Sequence, residues 1–185
     1  RLKEFEGEFL ALLLFSVTGM LLLVSARELI SIYVALELTA LPAAALAAFR
    51  RDGLSIEAGL KFIILSAVAS AVLLYGIVFI YGYTGTTNLE AILTRLGDLP
   101  ADPDTPFGSY AVLFAVVMIV AGFAFKMAVV PWQMWVPDVY QGAPTPVAAF
   151  LSTASKASDF AVVIRIMYTA FGSESLSEDW SGLFA

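Results

Sequence analysis

Long, almost uncharged apolar runs set the limits on what this chain can fold into. A helix that crosses the hydrocarbon of a bilayer needs ~20 consecutive, mostly apolar residues. Segments at about 9–25, 29–49, 57–83, 110–130 and 145–171 meet or approach that requirement. The fourth is expected to carry on in broken form to about 136, because Pro131 and Pro137 interrupt a helix that would otherwise continue. Composition agrees: hydrophobic residues make up 60% of the chain and charged residues 14%, against roughly 45–50% and ~25% in soluble domains. Inside lipid every backbone N–H and C=O must be satisfied within the protein, and runs of this length do so as helices. The predicted fold is therefore all-α: a polytopic transmembrane helix bundle of about five spans, forming a single membrane domain over 1–185. The chain starts at Arg1 rather than Met and stops at Leu183-Phe184-Ala185, which reads as the beginning of another hydrophobic stretch. A fragment of a longer subunit is expected.

The gaps between spans are short, except for a loop at 84–109 that holds Asp98, Pro100, Asp102, Pro103, Asp104 and Pro106. Within it, Asn88 to Leu96 is expected to form a short amphipathic surface helix capped by Asn88. Arg1, Lys3, Arg50 and Arg51 fall on one side of the membrane, and Arg27 and Arg95 on the other. The positive-inside rule then puts the N-terminal end in the cytoplasm, and the 84–109 loop and the tail from Gly172 outside. Trp132, Trp135 and Tyr140 read as aromatic anchors at the cytoplasmic boundary. Cysteine and histidine are both absent, which removes disulfides, thiol chemistry, histidine metal sites and the usual nucleophile–base pairs. No catalytic centre is expected in this chain alone. A net charge of −6 offers no basic surface to nucleic acid. Any proton chemistry must run on carboxylates, lysines, tyrosines or water.

A charge at mid-bilayer costs at least ~2.5–3.5 kcal/mol on insertion scales, so each one inside a span needs a reason. Glu37 sits near the middle of the second span, with Tyr33 one turn away as a candidate donor and Pro42 freeing the carbonyl of Leu38. Lys126 lies late in the fourth span, beside the helix break at Pro131 and Pro137. Lys156 is near the centre of the fifth span. At ~100° per residue Thr145, Ser152, Ser155, Lys156 and Asp159 share one face, and Asp159 is placed to pair with Lys156. Lys61 is early in the third span, four residues after Glu57, the favourable order for a helical ion pair. Each has a bland counterpart: a protonated Glu37 gluing helices, a snorkelling Lys126, a static Lys156–Asp159 pair, and a boundary pair at Glu57–Lys61. Arg165 is expected to snorkel to the outer interface. The functional alternative is proton transfer. Burial penalises a lysine's ammonium form and a neighbouring carboxylate restores it, so a lysine held between the two influences can capture and release a proton. Glu37 with Lys126 would make such a switch. Lys156 would be the next station, with Tyr33, Ser152, Ser155 and Asp159 as modulators.

These residues also carry a resemblance. The run from Phe125-Lys126 through Pro131-Trp132-Gln133-Met134-Trp135-Val136-Pro137-Asp138-Val139-Tyr140-Gln141-Gly142-Ala143-Pro144-Thr145-Pro146 to Ser155-Lys156 closely resembles subunit N of bacterial NADH–quinone oxidoreductase, respiratory complex I. Leu36-Glu37-Leu38, Phe49-Arg50-Arg51, Glu57-Ala58-Gly59-Leu60-Lys61-Phe62 and Leu74-Tyr75-Gly76 match the same antiporter-like family. The resemblance implies a subunit of about fourteen membrane helices, of which this piece is similar to helices four to eight. It implies a multi-pass protein of the bacterial inner membrane that passes protons across it, driven by quinone reduction elsewhere in the complex. Its partners would be other membrane subunits of complex I, the lipid bilayer, and protons or water. NADH, flavin, iron–sulfur clusters and quinone would be bound by other subunits, and no cofactor by this chain. By the same resemblance Glu37 matches the family's mid-membrane glutamate, Lys61 the lysine of the sixth helix, Lys126 that of the interrupted seventh, and Lys156 the central lysine of the eighth. The family's outlet lysine lies on a later helix. Asp159 stands where many relatives have a small residue. Cation/proton antiporter and membrane-bound hydrogenase subunits are the close rivals. They tend to carry histidine shortly after a Gly-Pro-Thr-Pro motif, whereas this chain has none, and Asp138-Val139-Tyr140-Gln141 favours subunit N. A structural scaffold whose charges only hold helices together is the remaining alternative.

Overall fold

The computed structural model describes residues 5–97 and 106–172, and side chains within them except 106–109. Arg1, Lys3, the Asp98–Asp104 stretch with Pro100 and Pro103, and the tail beyond Gly172 lie outside the described residues. The helices in chain order are α1 (Glu6–Ser25), α2 (Leu29–Ala47), α3 (Gly53–Thr84), α4 (Leu89–Gly97), α5 (Pro106–Met127), α6 (Val136–Gly142), α7 (Thr145–Phe150) and α8 (Lys156–Thr169). A 3₁₀ turn at Trp132–Trp135 precedes α6, and a π turn at Leu151–Ser155 joins α7 to α8. Among the described residues five stretches are long and apolar enough to cross a membrane: Glu6–Ser25, Leu29–Ala47, Gly53–Thr84, Tyr110–Gly142 and Thr145–Thr169. Their outer faces expose large apolar side chains such as Leu14, Leu21, Ile64, Val68 and Phe114, as lipid contact requires.

Local chemistry fixes the ends. Asp52 caps α3 by accepting from the Ser55 amide at 2.8 Å, and Arg50 donates to the same carboxyl at 2.6 and 2.9 Å. The Ser55 amide first, and Arg50 second, hold the Asp52 carboxyl below the usual carboxylate range. This cap starts α3 at Gly53, a turn earlier than the apolar pattern suggests. At the other end Gly85, at φ 63°, takes the left-handed conformation that closes the helix, and Arg95 donates to the Thr84 carbonyl. The surface helix expected from Asn88 is present. The Asn88 side chain accepts from the amides of Glu90 and Ala91, both at 3.1 Å, while Leu89, Ile92 and Leu96 turn inward. Backbone bonds from Leu29 to Thr87 and from Leu89 to Arg27 tie the starts of α2 and α4 together.

Close packing between α3 and α5 depends on two glycines. A Cβ at Gly76 would lie 2.8 Å from the Ala115 carbonyl oxygen, and one at Gly122 would lie 2.6 Å from the Leu73 side chain. Small residues let membrane helices approach in this way. The buried apolar side chains form two clusters. One runs toward the α4 end and includes Leu36, Leu73, Ile77, Ile119, Phe123 and Ile166. The other runs toward the α6 end and includes Ala43, Phe62, Ala69, Trp135 and Leu151. On α2, α3 and the last span, the residues between the two clusters include Glu37, Thr39, Ser70, Lys156 and Asp159, while Ser66 lies among the second cluster's Phe62 and Ala69. Lys126 lies where the two clusters meet on α5.

Candidate functional site

The site starts from the helix break. Proline removes an amide and its ring crowds the carbonyl four residues earlier. Pro131 therefore acts at Met127, where α5 ends. Ala128 then adopts φ 59°. The last carbonyls of α5 are taken by side chains. The Trp135 indole donates to the Phe125 carbonyl at 2.9 Å, and the Lys156 ammonium donates to the Lys126 carbonyl. The C-terminal end of a helix carries partial negative charge, which suits an ammonium. Lys156 Nζ also lies 4.6 Å from the centroid of the Trp135 ring, within cation–π range. Two expectations change here. Pro137 does not break a helix: it sits in the first turn of α6, where a missing amide loses no partner. Trp135 is not a boundary anchor, since it is buried against Phe62 and Phe125 at centroid distances of 4.9 and 5.6 Å.

Glu37 and Lys126 are joined through α3. The Ser70 hydroxyl donates to Glu37 Oε1, and the Lys126 ammonium donates to Ser66 Oγ. Ser66 and Ser70 are one turn apart and both buried. Lys126 is only 8% exposed, and both Glu37 and Asp159 act on it electrostatically. Among the described residues the direct ion pairs are Arg50–Asp52, Lys61–Glu57 and Lys61–Asp138, so Lys126 and Glu37 each end on a different serine hydroxyl rather than on one another. Glu37 takes its hydrogen bond from Ser70 and not from Tyr33. The serines were not singled out from sequence. The available signal was two hydroxyls four residues apart, on the same face of the third span as Gly59, Phe62 and Leu73.

The polar stripe expected on the last span is split. A π turn accommodates an extra residue, so the face drawn at ~100° per residue does not run straight through Leu151–Ser155. Thr145 and Ser152 are exposed, and Ser152 bonds back to the Ala149 carbonyl at 2.9 Å. Lys156 is drawn to the Lys126 carbonyl, so no direct Lys156–Asp159 ion pair forms. Asp159, 2% exposed, instead lies beside the Ser155 hydroxyl, with which it shares a cavity wall. Lys61 lies apart. It is half-exposed and pairs with Glu57 at 2.7 Å and Asp138 at 2.6 Å, bridging α3 to α6. Arg165 does not simply snorkel: it donates to the Ala26 carbonyl at 3.2 Å, at the end of α1.

Apolar membrane-crossing helices, a broken helix offering its carbonyls, and lysines and carboxylates buried or half-buried between the spans define an antiporter-like membrane protein. The chain belongs to the NADH:quinone oxidoreductase/Mrp antiporter transmembrane family, whose family model matches residues 26–184. It is 41% identical over 186 residues to NADH-quinone oxidoreductase subunit N of Dehalococcoides mccartyi, covering 100% of this chain and 38% of that protein. It is similar to a chain of respiratory complex I from Thermus thermophilus with bound Aureothin, at TM-score 0.73 and 40% identity, covering 85% of this chain and 34% of that one. A chain of the Mrp complex from Dietzia sp. aligns at TM-score 0.75 and 25% identity, over 87% of this chain and 29% of that one. The chain thus spans well under half the length of the relatives it matches.

Proposed function

We propose that this chain is part of the proton-translocating subunit N of a bacterial NADH–quinone oxidoreductase, and that protons move at mid-membrane through Glu37, Ser70, Ser66, Lys126 and Lys156. In this reading it is a non-redox subunit of a translocase, lies in the inner membrane with its N-terminal end cytoplasmic, and works beside other membrane subunits of a complex that reduces quinone elsewhere. The observation that carries the proposal is a pair of buried hydroxyls one turn apart on α3, Ser70 donating to the Glu37 carboxyl and Ser66 accepting from the buried Lys126 ammonium, with Glu37 acting electrostatically on Lys126. A hydroxyl is both donor and acceptor, so Ser66 beside Lys126 and Ser70 beside Glu37 can each take up and give a proton by rotating. In low dielectric the charge on Glu37 acts strongly on Lys126. Protonating Glu37 withdraws the negative charge that favours the ammonium, and Lys126 releases its proton. Lys61, already paired twice, serves the join between α3 and α6 and is outside the row.

The test uses the full-length protein in its native membrane, energised by NADH. Lys126→Ala and Glu37→Gln should each cut this subunit's share of pumped protons about tenfold or more, with the complex assembled and quinone still reduced. Loss of assembly instead would favour the scaffold reading. Unchanged pumping with Lys126 and Lys156 both replaced by Ala would eliminate the relay. The fold shared with the Mrp complex favours a cation/proton antiporter as second reading, which sodium-driven proton exchange without NADH would select.

A further inference from the structure

Between Lys126 and Lys156 the row lacks a proton acceptor. The Lys156 ammonium rests on the Lys126 main-chain carbonyl, and an amide carbonyl is too weak a base to carry a proton onward. A group able to do so sits alongside. Asp159 is almost fully buried, three residues past Lys156, and interacts electrostatically with both lysines. It forms an ion pair with neither. It shares with Lys126, Ser155 and Thr39 a cavity of about 20 Å³, walled by Phe62, Trp135 and Leu151. That volume is about what one water needs, and Lys126, Thr39, Ser155 and Asp159 reach its otherwise apolar wall.

We propose that Asp159 is a proton-holding station between Lys126 and Lys156, an inference that rests on the relay reading above. In the first step an N–H bond of the Lys126 ammonium breaks and an O–H bond forms on Asp159, through the single water the cavity fits. The products are a neutral amine and a neutral acid. In the second step the Asp159 O–H bond breaks and an N–H bond forms on Lys156 in its neutral state, restoring carboxylate and ammonium. Each step leaves the summed charge of its pair at zero, so no uncompensated charge is created in the low-dielectric interior, where one would cost most. The charged groups acting on Asp159 are Lys156 of its own helix and Lys126 of α5, with the Ser155 and Thr39 hydroxyls beside it.

Asp159→Asn keeps the shape and the polarity but holds no exchangeable carboxyl proton. Asp159→Glu keeps the chemistry. In the full-length protein in its membrane complex, Asp159→Asn should lower protons pumped per NADH roughly tenfold in this subunit's share, with assembly and quinone reduction intact. Asp159→Glu should restore most of it. Infrared difference spectra of turnover should show a protonated-carboxyl band that shifts when aspartate carboxyls carry ¹³C, and that loses this shift in Asp159→Glu. The band decides the matter even if Asp159→Asn fails to assemble, because a static counter-ion produces none. Normal pumping in Asp159→Asn, or no aspartate-sensitive band assignable to position 159, overturns the station. Normal pumping in Lys126→Ala overturns the relay itself, whereas loss there with normal Asp159→Asn removes only Asp159.

Discussion

Two groupings in this molecule combine a lysine with carboxylates, and they are built in opposite ways. Around Lys61 the contacts are direct: Glu57 and Asp138 both touch the ammonium, at 2.7 and 2.6 Å, on a half-exposed surface. Around Lys126 the ammonium is buried and bonds to Ser66, while Glu37 bonds to Ser70 one turn along α3. Direct pairing fixes a charge in place. Spacing by hydroxyls leaves the lysine open to influence and offers its proton somewhere to go. If the proposed relay holds, its lesson is that the hydroxyl partner, more than the number of charges, sets Lys126 apart from the Lys61 clasp.

The strongest attempt to break this contrast is the pair Lys126→Ala and Lys61→Ala. Proton pumping should fall about tenfold in the first and less than about twofold in the second, because a half-exposed pair contributes little. Equal losses would erase the distinction. A smaller effect is expected from Ser66→Ala, which leaves a buried ammonium without its partner at a cost of roughly 1–3 kcal/mol. Thermal unfolding of the purified complex reads that cost. Combined with Ser70→Ala it should be non-additive by about 0.5 kcal/mol or more, as expected for one network. The smallest effect belongs to Asp52→Ala. The folded state depresses this carboxyl, so its contribution is present above its unfolded value of about 3.9 and is lost as pH falls through the lower folded value. Amide exchange in the first turn of α3 should quicken in Asp52→Ala at neutral pH, and the difference should shrink below about pH 4.

Much of the scaffold could be read directly. Apolar runs marked the membrane-crossing helices, and Asn88 marked α4, because burial length and capping are local requirements. What escaped depended on three dimensions. A buried hydroxyl costs a membrane helix little, so Ser66 and Ser70 raised no alarm, although one holds Lys126 and the other Glu37. Pro137 looked like a breaker because its place in a helix's first turn is not visible until the helix is. The single stripe through Thr145, Ser152 and Asp159 assumed uniform winding, and the π turn undid it. Trp135 was assigned to the boundary by residue type alone, while the broken end of α5 needed its indole inside.

The acceptor for Lys156 has a further consequence. It is main chain, so a side-chain scan is blind to it: Lys126→Ala strips away one amine yet leaves the other's seat untouched. Only winding can vacate that seat. Replacing Pro131 so that α5 rewinds beyond Met127 would hand the Lys126 oxygen to the amide of Val130 and turn the Lys156 head group out. The backbone's path there is itself a setting of charge, and a small change of pitch at the break reaches a cation on another helix.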